Sequence, residues 1–156
     1  MDSLLITFLS VLLAECGNRP QLLAARLASR FQGSRIIWLA AFLALSANAL
    51  IAAYAGSFVA EMISEDPVQL FIAIAYLFAA ISMVWRPRSI NLLENWKVGP
   101  FWTSSLGVFI VQFGDRAQFL TLAQAARTPA WGFTALGGFL GSAIIFFAAM
   151  LFKDKF

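Results

Sequence analysis

Residues 68–85 contain no charged side chain over a length that allows a helix to cross the hydrocarbon core of a bilayer. Four further apolar runs predict helices at residues 3–31, 36–59, 101–126 and 131–152. The chain is 61% hydrophobic and 12% charged, whereas a soluble domain has about 25% charged residues. The sequence therefore predicts an all-α integral membrane protein with five transmembrane helices.

The charges between the predicted helices indicate how the chain is oriented. Basic residues follow the first, third and fifth helix, whereas the loop between the second and third is acidic. Because cytoplasmic loops of membrane proteins carry an excess of lysine and arginine, we expect the N-terminus outside and the C-terminus in the cytoplasm, in a bacterial inner membrane. The basic residues behind this prediction are Arg26, Arg30, Arg35, Arg86, Arg88, Lys153 and Lys155.

Two matched polar motifs interrupt the apolar runs. The first reads E-C-G-N-R-P-Q, and the second reads Q-F-G-D-R-A-Q and lies 97 positions later. Glycine, arginine and the final glutamine coincide at this offset, while Glu15 falls on Gln112 and Asn18 falls on Asp115. Charged residues inside a membrane are costly and usually face the bundle interior or a water-filled path. We therefore interpret the motifs as two halves of one polar site.

The first motif also predicts an interruption of the first helix. Pro20 cannot donate a hydrogen bond to the carbonyl of Cys16, and Gly17 weakens the same turn. We therefore expect a kink or a short unwound stretch at this point. Within a bilayer, the backbone groups that such a stretch frees must be satisfied by protein or by a cavity.

Small and polar residues in the other predicted helices suggest how the helices pack. Gly137 and Gly141 lie four positions apart on one face of the last helix, a spacing that suits the close approach of a second helix. Asn48 lies inside the second helix. Its side chain has two alternatives, a bond within the bundle or a local bond to a backbone carbonyl.

The spacing of the motifs divides the chain into two repeats. Residues 1–85 form the first repeat with three helices, and residues 86–100 form a cytoplasmic linker that is compatible with a short interfacial helix. Residues 101–156 form the second repeat, which lacks a third helix. Because each repeat unit has an odd number of spans, the second repeat starts on the opposite side of the membrane from the first, and we expect the repeats to have inverted topology. Secondary transporters use this arrangement around a site near the membrane centre.

The two motifs resemble the repeated E-x-G-D-[K/R]-[S/T] signature of the transmembrane protein 165 family. That family consists of small two-repeat membrane proteins regarded as calcium or manganese transporters that exchange the cation for protons. The resemblance covers the motif helices and the layout of the first three spans. It implies that Glu15 and Asp115 bind the cation and carry protons, and that Arg19 and Arg116 keep the basic position of each motif.

The chain departs from the family pattern at several positions. Asn18 replaces the aspartate of the first motif, and Gln112 replaces the glutamate of the second. Pro20 and Ala117 both lack the hydroxyl of the last position, and the family pattern implies six spans rather than five. Because the affinity for a divalent cation depends on the charge of its ligands, we expect weaker binding than the full pattern implies.

The residue types of the motifs fit an oxygen-lined site. Hard divalent cations prefer carboxylate oxygens, with amide oxygens as weaker ligands. Glu15 and Asn18 are three positions apart, as are Gln112 and Asp115, so each pair shares one face of a helix. If the motif helices cross, these four side chains form the predicted metal site. The other predicted members are Arg19 and Arg116, which set its charge, and Gln21 and Gln118, which line the path.

Two alternatives to a transport site remain open from the sequence. A charge-neutral clamp, pairing Glu15 with Arg116 or Asp115 with Arg19, would lock the two halves together without binding an ion. The replaced acids and the absent span are also compatible with a diverged membrane protein that transports nothing and serves as a scaffold or partner.

Several other functions are not expected. The chain has no histidine and no pairing of a nucleophile with a base, so we expect no enzyme and no cofactor other than the cation as substrate. Its single cysteine cannot form an internal disulfide. The chain has a net charge of +3, but its basic residues lie at the ends of the apolar runs, where they act as orientation signals. This position argues against nucleic acid as a partner. The expected partners are the lipid bilayer, an inorganic cation and a second copy of the chain.

Overall fold

A computed structural model of the protein describes residues 2–32, 35–84 and 96–152, and within these ranges it contains α-helices and the turns between them. The predicted linker lies outside the described residues except for residues 96–100. The described helices are α1 (Asp2–Glu15), α2 (Arg19–Arg30), α3 (Arg35–Met62), α4 (Glu65–Val84), α5 (Pro100–Gln112), α6 (Arg116–Ala126) and α7 (Trp131–Leu151).

Two of the five predicted helices are each divided into two shorter ones. The first is interrupted between α1 and α2, as the sequence predicts. The fourth, predicted as one helix over residues 101–126, is interrupted between α5 and α6, so that prediction is wrong. The four halves are 14, 12, 13 and 11 residues long. Each is too short to span a bilayer alone, which takes about 20 residues.

The other three predicted helices are continuous. Helices α3, α4 and α7 contain 28, 20 and 21 residues and are apolar enough to cross a membrane. Their ends lie within three residues of the predicted bounds. The structure thus bears out the all-helical membrane fold, with three uninterrupted candidate spans in the described residues.

Helix α7 packs along α1, and two glycines permit the close approach. A Cβ atom at Gly137 would lie 2.4 Å from the carbonyl oxygen of Leu4, and one at Gly141 would lie 2.9 Å from that of Phe8. These distances leave no room for a side chain. The close packing predicted for this glycine pair is confirmed.

Helix α3 packs against both halves of the second divided helix. At the α6 side, a Cβ atom at Gly56 would lie 2.1 Å from the carbonyl oxygen of Leu122. Elsewhere α3 contributes Ile37 and Leu45 to a buried apolar cluster that also contains Phe146 of α7. Helices α3 and α7 both pack against the divided helices. At the breaks the polar side chains of Glu15, Asn18 and Gln112 are buried, whereas the two motif glycines are exposed.

Helix α4 is the most peripheral of the long helices, since only 22% of its most apolar stretch is buried. It packs mainly against α6. One side chain ties it to two helices at once, because the Tyr76 hydroxyl shares a hydrogen bond of 2.7 Å with Ser10 of α1 and accepts one of 2.6 Å from Nε2 of Gln124 of α6.

Candidate cation site at the two helix breaks

The first break follows from a glycine and an asparagine. Gly17 has a φ angle of +72°, a left-handed conformation that glycine adopts without steric cost and that ends α1. Asn18 then begins α2 as its N-cap, with its Oδ1 accepting a hydrogen bond of 2.8 Å from the Arg19 amide. The Gly17 amide donates to Oε1 of Gln21 at 2.7 Å. The freed backbone groups are therefore partly satisfied by the motif's own side chains.

The second break repeats this geometry. Gly114 has a φ angle of +75°, and Asp115 occupies the N-cap position of α6. The Gly114 amide donates to Oε1 of Gln118 at 2.5 Å, as the Gly17 amide does to its own glutamine. Position 117 is alanine rather than proline. A proline is therefore not needed for the break. Asp115 makes no capping hydrogen bond with its side chain, so the features that the two breaks share are the left-handed glycine and the glutamine that bonds its amide.

The two motifs meet through matching positions. Nε2 of Gln112 donates a hydrogen bond of 2.6 Å to Oε1 of Glu15, and Nδ2 of Asn18 donates a short hydrogen bond to Oδ2 of Asp115. Both bonds join residues 97 positions apart. The same Asn18 nitrogen lies 3.4 Å from Oε2 of Glu15, so it connects the two carboxylates. The structure thus brings together the four residues of the predicted metal site, each acid paired with an amide.

A serine of α7 completes the surroundings of Glu15, and the sequence reasoning did not select it. Oγ of Ser142 donates to Oε1 of Glu15 at 3.1 Å and accepts a hydrogen bond of 3.1 Å from Nε2 of Gln112. The available signal was a hydroxyl inside the apolar run of the last helix. That signal is weak, because serine in a membrane helix usually bonds its own backbone.

The two alternatives for Asn48 both occur. Its Nδ2 lies 3.1 Å from the carbonyl oxygen of Ala44, which is a local bond, and 3.4 Å from that of Phe109 of α5. Its Oδ1 accepts from Nε2 of Gln118 at 3.4 Å. Asn48 therefore links α3 to both halves of the second divided helix.

The two motif arginines differ in their surroundings. Arg19 is exposed, whereas Arg116 is 5% exposed and its Nε has no hydrogen-bond partner among the described residues. Both lie close enough to Asp115 to act on it electrostatically. Within the described part of the chain, no salt bridge joins either arginine to Glu15 or Asp115. The ion-pair clamp, which the sequence left open as an alternative, is therefore not formed among the described residues, and amides bond the carboxylates instead.

The chemistry of this cluster suits a hard cation. Glu15 is 1% exposed, and its carboxylate contacts only neutral amide and hydroxyl groups. The described residues contain no cluster of three or more histidine, cysteine, aspartate or glutamate side chains that could together hold a metal ion. The two carboxylates face the amide nitrogens of Gln112 and Asn18 and the hydroxyl oxygen of Ser142. Carboxylate and hydroxyl oxygens, with amide oxygens as weaker ligands, are groups that hard divalent cations accept. Buried carboxylates in a bundle of apolar helices are the hallmark of an ion pathway.

These features define a membrane cation transporter. The family described as divalent cation/proton antiporter GDT1 matches residues 3–90, which include the first motif, and the chain belongs to this family. A Vibrio cholerae serotype O1 protein named "Putative manganese exporter" is 33% identical over 161 residues, which cover 99% of this chain and 80% of the relative. No solved structure matches the chain. The family confirms the resemblance that the motifs indicated.

Proposed function

We propose that this protein moves a divalent cation, with manganese as the first candidate, across a bacterial inner membrane in exchange for protons. The observation that carries the proposal is the pairing of Glu15 with Gln112 and of Asp115 with Asn18 at two facing helix breaks. Manganese is favoured over calcium because the Vibrio cholerae relative carries that ion in its name.

In this mechanism Glu15 and Asp115 are the ligands that carry charge. Protons occupy these carboxylates when the cation is absent, and the cation displaces them when it binds. Asn18 supplies a neutral oxygen once its amide group turns, and Gln112 supplies its side-chain oxygen, which has no hydrogen bond among the described residues. Each break joins the C-terminal end of one helix to the N-terminal end of the next, so the helix dipoles largely offset each other at the site. The negative charge that attracts a cation therefore comes from the carboxylates. Broken helices of this kind coordinate ions in secondary transporters.

The remaining motif residues have supporting roles in the proposal. Arg19 and Arg116 offset the two carboxylates and lower the affinity, which allows the ion to leave. Gln21 and Gln118 line the path, and their contacts with the glycine amides also hold each break in shape.

The proposed topology has five crossings. Helices α1 and α2 together make the first, and α5 and α6 together make the fourth, so the repeats at residues 1–85 and 101–156 run in opposite directions. The N-terminus lies outside and the C-terminus in the cytoplasm. Single cysteines placed at Glu65 and Lys97 in a background without Cys16 test this orientation through their accessibility to a membrane-impermeant reagent. Labelling of Lys97→Cys in intact cells, with Glu65→Cys protected, would contradict it.

In the described part of the chain, one side of α5 is exposed. Exposed apolar side chains follow this side at helical spacing, and they are Trp102, Leu106, Ile110 and Phe113. We propose that a second copy of the chain covers this side. Disulfide cross-linking of Leu106→Cys in a background without Cys16 should give a dimer in membranes. A monomer alone would contradict the assembly but not the transport site.

The transport proposal is tested with purified protein in liposomes. We expect Mn²⁺ uptake driven by a proton gradient, and we expect the double variant Glu15→Gln/Asp115→Asn to abolish it. The matched control is Glu65→Gln/Asp66→Asn, which removes one glutamate and one aspartate charge from the exposed first turn of α4. Unchanged flux in the first variant would refute the site. Wild-type protein that neither binds nor moves the ion would favour the non-transporting alternative.

A further inference from the structure

A small polar recess lies beside the four-residue cluster, between α3, α6 and α7. Its polar lining comes from Asn48, Gln112, Gln118, Thr121 and Ser142. Its volume, measured as the space open to the centre of a water molecule, is about 10 Å³. This value is about the lower limit for holding one water molecule. The recess therefore has room for a single small ligand.

Gln112, which lines this recess, has one buried atom without a hydrogen-bond partner in the described part of the chain. Gln112 is 3% exposed, and its Oε1 has no hydrogen bond among the described residues, although its Nε2 donates to both Glu15 and Ser142. A buried amide oxygen without a partner is unfavourable and rare in folded proteins. A ligand with positive charge or a donor group in the recess would satisfy it.

The other polar groups at the recess also present oxygen. Thr121 donates its hydroxyl hydrogen to the Ala117 carbonyl at 2.9 Å, so its lone pairs remain available. The glycine at position 138 keeps that hydroxyl open, since a Cβ atom there would lie 2.5 Å from Oγ1 of Thr121. Oγ of Ser142 lies 3.1 Å from Oε1 of Glu15 and thereby joins the recess to the carboxylate. Neutral oxygens next to one carboxylate are suitable ligands for a hard cation.

We propose that the recess is a cation subsite in which Ser142 and Thr121, neither of them in a motif of charged residues, bind the transported divalent cation together with Gln112. Glu15 contacts the same ion from the other side of Ser142. The inference rests on the proposed function, because the subsite takes the same ion. It adds ligands from α7 and from the interior of α6 to a site that the motifs alone place at the breaks.

The test exchanges a hard ligand for a soft one. Oxygen ligands suit Mn²⁺, whereas a thiolate prefers soft metals such as Cd²⁺. Ser142→Cys is made in a Cys16→Ala background, which removes the chain's single cysteine. The matched control is Ser104→Cys, because Ser104 is fully buried in α5 and does not line the recess. Affinities for Mn²⁺ and Cd²⁺ are measured by isothermal titration calorimetry on the purified protein.

We expect Ser142→Cys to lower the Mn²⁺ affinity by about tenfold, as the loss of a group at a metal site commonly does, and to raise the Cd²⁺ affinity. Ser104→Cys should leave both affinities unchanged. If Ser142→Cys does not fold, Thr121→Val replaces it, because it removes the lone pairs at nearly constant volume. Thr134→Val is its control, since Thr134 is buried in α7 outside the recess.

The outcomes separate this inference from the proposed function. Metal affinities that are the same in Ser142→Cys and Ser104→Cys, or in Thr121→Val and Thr134→Val, overturn the subsite. If Glu15→Gln/Asp115→Asn abolishes Mn²⁺ binding in that case, the transport site stands without the subsite. If Mn²⁺ still binds to that double variant, the proposed function fails as well.

Discussion

Gln112 donates a hydrogen bond of 2.6 Å to Glu15, the residue that occupies its own position in the other motif. Asn18 and Asp115 form the second pair of this kind. Two carboxylates at such a distance would repel each other unless a cation or a proton lay between them. The replacement of one acid in each pair by an amide therefore gives a cluster that is hydrogen-bonded without any ion.

The variant Gln112→Glu should be less stable than wild type in metal-free buffer. It replaces the donor nitrogen that faces Glu15 with a second acceptor, in a position that is 3% exposed. We expect a loss of about 1–3 kcal/mol, together with a larger rise of Tm on adding Mn²⁺, because the site gains charge. Thermal unfolding in detergent measures both effects. Equal Tm values for wild type and variant without metal would contradict the account, and Gln69→Glu on exposed α4 is the control.

The variant Gly114→Ala should destabilise the second break. At a φ angle of +75° an L-residue costs about 1–2 kcal/mol relative to glycine, and the Cβ atom itself meets nothing within 4 Å. The loss should therefore come from the backbone conformation alone. Gly132→Ala is the control, because that glycine also has free space but lies inside α7 with an ordinary φ angle. Equal losses of unfolding free energy in the two variants would show that the left-handed conformation of Gly114 is not the cause.

The variant Tyr76→Phe should loosen α4 from the bundle. The hydroxyl that it removes bonds Ser10 and Gln124, and Gln124 is 4% exposed, so its amide would be left without that partner. We expect a cost of about 1–3 kcal/mol, measured by thermal unfolding. Tyr54→Phe serves as control because Tyr54 is 63% exposed. A larger loss in the control variant would count against the hydrogen-bond network.

The variant Gly137→Ala should destabilise the packing of α1 against α7. Its Cβ atom would lie 2.4 Å from the Leu4 carbonyl oxygen, which is a backbone atom and cannot rotate away. We expect a loss of about 1–3 kcal/mol or more, as in other overpacked interiors, and a lower yield of folded protein. The measurement is the unfolding free energy beside that of Gly132→Ala. A neutral result would show that the two helices are not packed this closely.

Much of the architecture follows from hydropathy. The continuous helices α3, α4 and α7 appear within three residues of their predicted ends, because each coincides with an apolar run bounded by charges or prolines. The first break was also predictable from Gly17 and Pro20. The second was missed because it has no proline. Its signal was Gly114, which stands at the same place in the motif as Gly17.

The site was predictable only as far as the motifs extend. The spacing of 97 positions brought Glu15 and Gln112 to the same place, and the structure pairs them. Ser142 and Asn48 were not assigned to the site because their contacts depend on how α7 and α3 are rotated against the breaks. A helix rotation is decided by packing, such as the contact of Gly137 with Leu4, and no local pattern of the sequence encodes it.

Glu15 is the final residue of α1, whereas Asn18 caps the start of α2, so the two polar groups of one motif belong to separate rigid segments. Tilting one segment against the other changes the separation of these side chains without breaking a hydrogen bond inside either helix. The same holds for Gln112 and Asp115. In the proposed cation site, the distances between the oxygen ligands therefore depend on the angle between the two helix segments, and a change of that angle would change the affinity for the ion.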